Sequence, residues 1–74
     1  MSHTVDRLVY MANQIGKAFD HLPRQEAVHE IAEHIKHFWE KRMLAQSYAY
    51  IDAGGTGFDE LPKQSLEILR KATN

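Results

Sequence analysis

The sequence predicts an all-α fold, a small bundle of three to four short helices, organised as a single helical domain over residues 1–74. Three observations carry this. Apolar residues recur at spacings of three and four along successive segments, as helices with one buried face require. No segment alternates apolar and polar residues with the period of two expected of a half-buried strand. Pro23 and the run Gly54-Gly55-Thr56-Gly57 divide the periodic segments at points where helices ordinarily start and stop.

The first helix is predicted over residues 4–20, with Val5, Leu8, Ala12, Ile15 and Phe19 as its apolar line. Thr4 is placed to cap it, and Asp6 lies in the first turn, where the helix dipole favours a negative charge. Gly16 falls on the apolar line. A glycine inside a helix costs about 0.5–1 kcal/mol relative to alanine, so its expected use is the close approach of another helix. Arg7, Tyr10, Met11 and Gln14 share the opposite face. Tyr10 and Met11 are large for a solvated surface. Scattered apolar surface is ordinary, and the functional alternative is a face that docks on a larger protein.

Pro23 opens the second helix, predicted over residues 23–39. Its core line is Val28, Ile31, Ile35 and Phe38, flanked by Ala27, Ala32 and Trp39. The third helix is predicted over residues 40–53, with Met43, Leu44, Ser47, Tyr48 and Ile51 on one face and Tyr50 at its edge. Glu40-Lys41-Arg42 holds no strong breaker. An unbroken helix of about 30 residues would nevertheless far exceed the usual three to four turns, so a bend near Glu40 is expected. The glycine run then closes the third helix with a Schellman-type cap. Asp59 caps the last helix, Pro62 sits in its first turn, and Leu61, Ser65, Ile68, Leu69 and Ala72 line one side with Leu66 flanking. Arg70 and Lys71 suit its C-terminal end, and Thr73 and Asn74 are expected to fray.

Composition excludes several function classes. Nine basic residues stand against ten acidic ones, for a net charge of -1, with the signs interspersed and no basic stripe. A primary role in nucleic-acid binding is disfavoured; a helix-turn-helix reading of the second and third helices has only Lys36, Lys41 and Arg42 to offer phosphates. The absence of cysteine removes disulfides, thiol catalysis, cysteine zinc sites and iron–sulfur ligation. No apolar run reaches the roughly 20 residues that span a bilayer, and the polar N-terminus lacks the apolar core of a signal peptide. A soluble, cytoplasmic protein is expected. A chain of this size buries roughly 60% of its unfolded surface, so stabilisation by a metal or a partner is expected.

No catalytic residue and no cofactor-binding residue is assigned. Ser2, Ser47 and Ser65 have no base nearby in sequence, and the acids lie mostly on polar faces. Glu30, His34 and His37 share one face of the second helix and are weak candidates for binding Zn²⁺ or Ni²⁺. The bland alternative is a solvated face on which Glu30–His34 and Glu33–His37 pair at i, i+4. Gly54-Gly55-Thr56-Gly57 before a helix could present amides to a phosphate, but it lacks the Gly-Lys-Ser/Thr ending and the preceding strand of a nucleotide loop.

Three segments carry a resemblance: Leu8-Val9-Tyr10-Met11-Ala12-Asn13-Gln14-Ile15-Gly16, then Phe38-Trp39 followed by Arg42-Met43, then Asp52-Ala53-Gly54-Gly55-Thr56-Gly57 with Phe58. In order and spacing they resemble the small delta subunit of soluble NAD-dependent, molybdenum-containing formate dehydrogenases. The resemblance covers almost the whole chain, and its specificity lies in the combination. Where relatives often carry a proline just before the Arg-Met pair, this chain has Lys41. The resemblance implies a non-catalytic subunit that stabilises or assembles the enzyme through contacts with the large (alpha) subunit. The molybdenum–pterin, iron–sulfur and FMN cofactors are then expected in partner subunits. By the same resemblance, Met11, Asn13 and Gln14 on the first helix and Trp39, Arg42 and Met43 around the corner are contact residues, joining Tyr10. Trp39 is expected to be core first and contact second. Two other readings stand beside this one: a maturation chaperone for cofactor insertion into the large subunit, and a histidine-based metal-binding module. Self-association of the isolated chain is open.

Overall fold

Four helices, α1 (His3–Phe19), α2 (Arg24–Phe38), α3 (Lys41–Asp52) and α4 (Glu60–Ala72), build the expected all-α bundle, with no strand among the described residues. The structure is a computed structural model that describes residues 3–72, with side chains from Thr4 onward. The expectation for Thr73 and Asn74 lies outside the described residues. α1 already runs at His3, so Thr4 lies inside its first turn and is not its cap; the capping position also falls outside the described residues.

The boundaries follow local chemistry. Pro23 stands at the N-cap of α2 with φ -52 and ψ 147, and its carbonyl accepts from Ala27 N–H at 2.8 Å. The ring fixes φ and removes an N–H that had no helical partner to lose. α2 ends at Phe38. Trp39 turns extended (φ -94, ψ 139) while its N–H still donates to Ile35 O at 2.9 Å. Glu40 is extended too, and its carbonyl accepts from Leu44 N–H at 3.1 Å to start α3. The bend expected near Glu40 is therefore present with Lys41 as the first helical residue. α3 closes on the glycine run: Gly54 N–H donates to Ile51 O at 3.0 Å and Gly55 N–H to Tyr50 O at 2.9 Å, the paired bonds of a Schellman cap. Gly54 has φ 123 and Gly55 φ 64, a backbone that side chains beyond glycine rarely adopt. These two amides are spent on the cap, which leaves them unavailable to a phosphate.

α2 and α4 share the most extensive interface, α1 packs across both, and α3 rests on α1 and α4. The core consists of Leu8, Ala12, Ile31, Ala32, Ile35, Trp39, Leu66 and Leu69. Met11, Ile15, Phe19, Met43, Leu44, Tyr48, Ile51, Phe58 and Leu61 pack around it. Two devices lock α4 in place. Gly16 of α1 sits so close to Pro62 that an added Cβ would lie 2.9 Å from Pro62 Cδ, which is the close approach expected of this glycine. Ser65 Oγ, fully buried, lies 2.8 Å from Val28 O and 3.0 Å from Leu61 O. Its single proton serves the α2 carbonyl or its own helix, so the hydroxyl is satisfied inside the core.

Three residues expected on the core side are exposed: Phe38, Ile68 and Ala72, the last at the C-terminal end of α4. Phe38 is 72% exposed, and its neighbour Trp39 takes the buried place. The cause is the extended turn at Trp39, which carries the indole back under the bundle and leaves the Phe38 ring on the last helical turn facing outward. Ile68 is 52% exposed while Leu66 is fully buried. Seating Pro62 against Gly16 turns α4 toward its Pro62–Leu66–Leu69 side and moves Ile68 to the edge.

Candidate functional site

The Phe38–Trp39 corner opens a groove. Tyr10, Met11, Gln14 and Ile15 line it from α1, His34 and Phe38 from α2, Trp39 from the corner and Met43 from α3, around a volume of ≈ 390 Å³. Its floor is apolar, with Trp39 buried and Met11, Ile15 and Met43 half-buried. Its walls are two aromatic rings held out into solvent, Tyr10 (65% exposed) and Phe38. The His34 ring packs on Phe38 at a centroid distance of 4.7 Å and reaches Phe19 at 6.3 Å, which steadies the Phe38 wall. Aromatic and methionine side chains around a pocket are the residue types that anchor protein–protein contacts.

Five of the seven expected contact residues, Tyr10, Met11, Gln14, Trp39 and Met43, meet in this groove. The other two do not line it. Arg42 is exposed on the first turn of α3. Asn13 has a structural employment: its Nδ2 donates to Gly57 O at 2.9 Å, and its Oδ1 accepts from Asp59 N–H at 2.8 Å. The amide thus clamps the loop between α3 and α4 onto α1. Its place off the apolar line is explained by this loop, 44 and 46 residues away in sequence, a contact that helical spacing cannot reveal. Phe38, Ile15 and His34 line the groove without having been marked as contacts.

The Asn13 clamp gives a first prediction. Asn13→Ala is expected to lower stability by about 1 kcal/mol, the usual worth of one or two partly exposed hydrogen bonds. It should also raise hydrogen exchange at the Asp59 amide while the amides at the centre of α2 stay protected. An Asp59 amide that exchanges at the wild-type rate would show that the clamp is not made in solution.

The histidine face holds a different arrangement from the metal reading. Among the described residues no three His, Asp or Glu side chains gather into a set able to hold a metal ion. His34 is turned to the two phenylalanines. His37 Nδ1 lies 2.9 Å from Glu33 O and 4.0 Å from the Glu33 carboxylate, as the i, i+4 pairing anticipates.

Fold and groove together define a class: a small helical module that carries an apolar, aromatic-walled groove on its surface. The comparison with protein families is specific. The family model of the NADH-dependent formate dehydrogenase delta subunit, FdsD, matches residues 7–66, and the chain belongs to that family. The matched stretch takes in α1 from Arg7, α2, the Trp39 corner, α3, the glycine cap and α4 as far as Leu66. No curated protein and no solved structure matches the chain. No helix among the described residues is long and apolar enough to cross a membrane.

Proposed function

We propose that this chain is a non-catalytic subunit of an NAD-dependent formate dehydrogenase, and that it stabilises or assembles the enzyme by docking its Trp39 groove on the large, molybdenum-bearing subunit. The observation that carries this is the convergence of Tyr10, Met11, Gln14, Phe38, Trp39 and Met43 on one groove in a chain of the delta-subunit family. A domain of this size gains stability from a partner, and Tyr10 and Phe38 hold aromatic surface in water that a partner would cover. The molybdenum–pterin, iron–sulfur and FMN groups of such an enzyme are assigned to the other subunits. This chain has no cysteine to ligate a cluster, and no step of formate oxidation is routed through its residues.

The test is the double variant Tyr10→Ala with Gln14→Ala. Both side chains are exposed, so the variant should keep the helical signal and unfolding midpoint of the wild type. Its affinity for the rest of the enzyme should fall by about tenfold or more, as for truncated aromatic anchors. Full-yield co-purification of the double variant would show that this face is not the contact. Subunit stoichiometry distinguishes a permanent subunit from a maturation chaperone: the first is present at one copy per mature enzyme, the second is absent from it.

A further inference from the structure

Every sulfur atom among the described residues lies in the Trp39 groove. The sequence has no cysteine. Met11 and Met43 are the methionines of residues 3–72, and both line this groove. They reach it from different helices, Met11 from α1 and Met43 from α3, and both are half-buried next to the buried Trp39. Only the folded chain brings them to one surface.

A half-buried thioether in an open groove is within reach of a small oxidant such as hydrogen peroxide. The sulfur attacks one peroxide oxygen, so that an S–O bond forms and the O–O bond breaks. The departing hydroxide takes the proton of the transferred OH group and leaves as water. The sulfur is oxidised by two electrons to the sulfoxide, and the peroxide is reduced. No thiol competes for the oxidant in this chain, and a thiolate would otherwise be the more reactive sulfur. The product changes the character of the groove. A thioether is soft, apolar and able to mould itself to a partner. A sulfoxide is polar and chiral, and its oxygen accepts hydrogen bonds from water. A partner that covers the groove would strip that water away against an apolar floor, which penalises docking.

We propose that Met11 and Met43 make the Trp39 groove a peroxide-sensitive contact: sulfoxide formation in the unassembled chain weakens docking, and docking shields both sulfurs from further oxidation. The proposal rests on the reading of this groove as the contact with the rest of the dehydrogenase. It adds a modification chemistry to that site and names the two residues that carry it.

The isolated chain is treated with hydrogen peroxide, desalted to remove it, and titrated against the remaining dehydrogenase subunits. Peptide mass spectrometry locates the sulfoxides. Both methionines also pack against the core, so circular dichroism follows the fold. The expected result is sulfoxide at Met11 and Met43, a retained helical signal, and an affinity about tenfold or more below that of the untreated chain, as burial of an unpaired polar oxygen implies. The double variant Met11→Leu with Met43→Leu is compared with itself, and peroxide should leave its affinity unchanged whatever its starting value. In the assembled enzyme the two sulfurs should oxidise several-fold more slowly than in the isolated chain. Undiminished affinity of the oxidised chain, with binding lost in Tyr10→Ala, Gln14→Ala, would overturn this inference and leave the proposed function standing. Loss of the helical signal together with affinity would also overturn it, because the sulfurs would then serve the fold rather than the contact. An equal peroxide-induced loss in the leucine variant would place the sensitive group elsewhere and overturn it. Full affinity of the Tyr10→Ala, Gln14→Ala variant, with Met11 and Met43 oxidised equally fast in the free and assembled chain, would overturn both.

Discussion

Replacing Trp39 with alanine is expected to unfold the isolated chain at 25 °C, whereas replacing its neighbour Phe38 is expected to leave stability nearly unchanged. Trp39 is 7% exposed and belongs to the core with Leu8, Ile31, Ile35 and Leu66. Truncating a buried Trp or Phe to alanine costs about 3–5 kcal/mol, the lost transfer energy plus that of the cavity left behind. A core in a domain of this size rarely supplies more than about 3–5 kcal/mol in total, so the loss consumes the whole margin. Phe38, 72% exposed, gives up only its ring contact with His34, and surface changes of that kind stay within about 0.5 kcal/mol. Far-ultraviolet circular dichroism and urea unfolding of Trp39→Ala and Phe38→Ala, side by side, decide the matter. A Trp39→Ala chain that unfolds cooperatively within about 1 kcal/mol of wild type would show that the indole is not part of the core. A Phe38→Ala chain that unfolds would restore Phe38 to it.

Gly16→Leu is expected to be the next most damaging change. A Cβ alone at this position would lie 2.9 Å from Pro62 Cδ and 3.2 Å from Pro62 Cγ. The proline ring cannot swing aside, because it is closed onto its own backbone. α1 and α4 would have to separate, which strains the nearby clamp between Asn13 and the α3–α4 loop. Overpacking of this kind costs about 1–3 kcal/mol, and a leucine carries three further carbon atoms into the same space, so the upper end is expected. Gly16→Ala should be milder, since alanine regains about 1 kcal/mol of helix propensity against the clash. A Gly16→Leu variant as stable as wild type in urea would contradict the tight α1–α4 contact.

The four helices, the bend near Glu40, the Schellman stop and the purpose of Gly16 were legible because each rests on local chemistry: apolar spacing, proline and glycine. The choice between Phe38 and Trp39 was not, because both satisfy the helical spacing and the backbone that decides between them turns extended without a proline or glycine to announce it. Ile68 was misplaced for a related reason. Apolar counting centres α4 on Leu61, Ile68 and Leu69, while the fit of Pro62 against Gly16, a contact between distant segments, sets the rotation of the helix. The Trp39 groove was legible in part. Tyr10 and Met11 stood out as too large for a solvated face, and the family resemblance supplied Gln14, Trp39 and Met43. Asn13 was visible as an unexplained polar residue, and only the folded loop beside it shows that its bonds are internal.

The most direct test of the central claim is the subunit composition of what this chain binds in its native cell. The tagged chain would be purified gently and its companions quantified by mass spectrometry, for wild type and for the Tyr10→Ala, Gln14→Ala double variant. The expected result is a mature formate dehydrogenase with its molybdenum, iron–sulfur and flavin subunits at close to one copy each per copy of this chain, lost selectively in the double variant. Recovery of the chain without any dehydrogenase subunit would contradict the account.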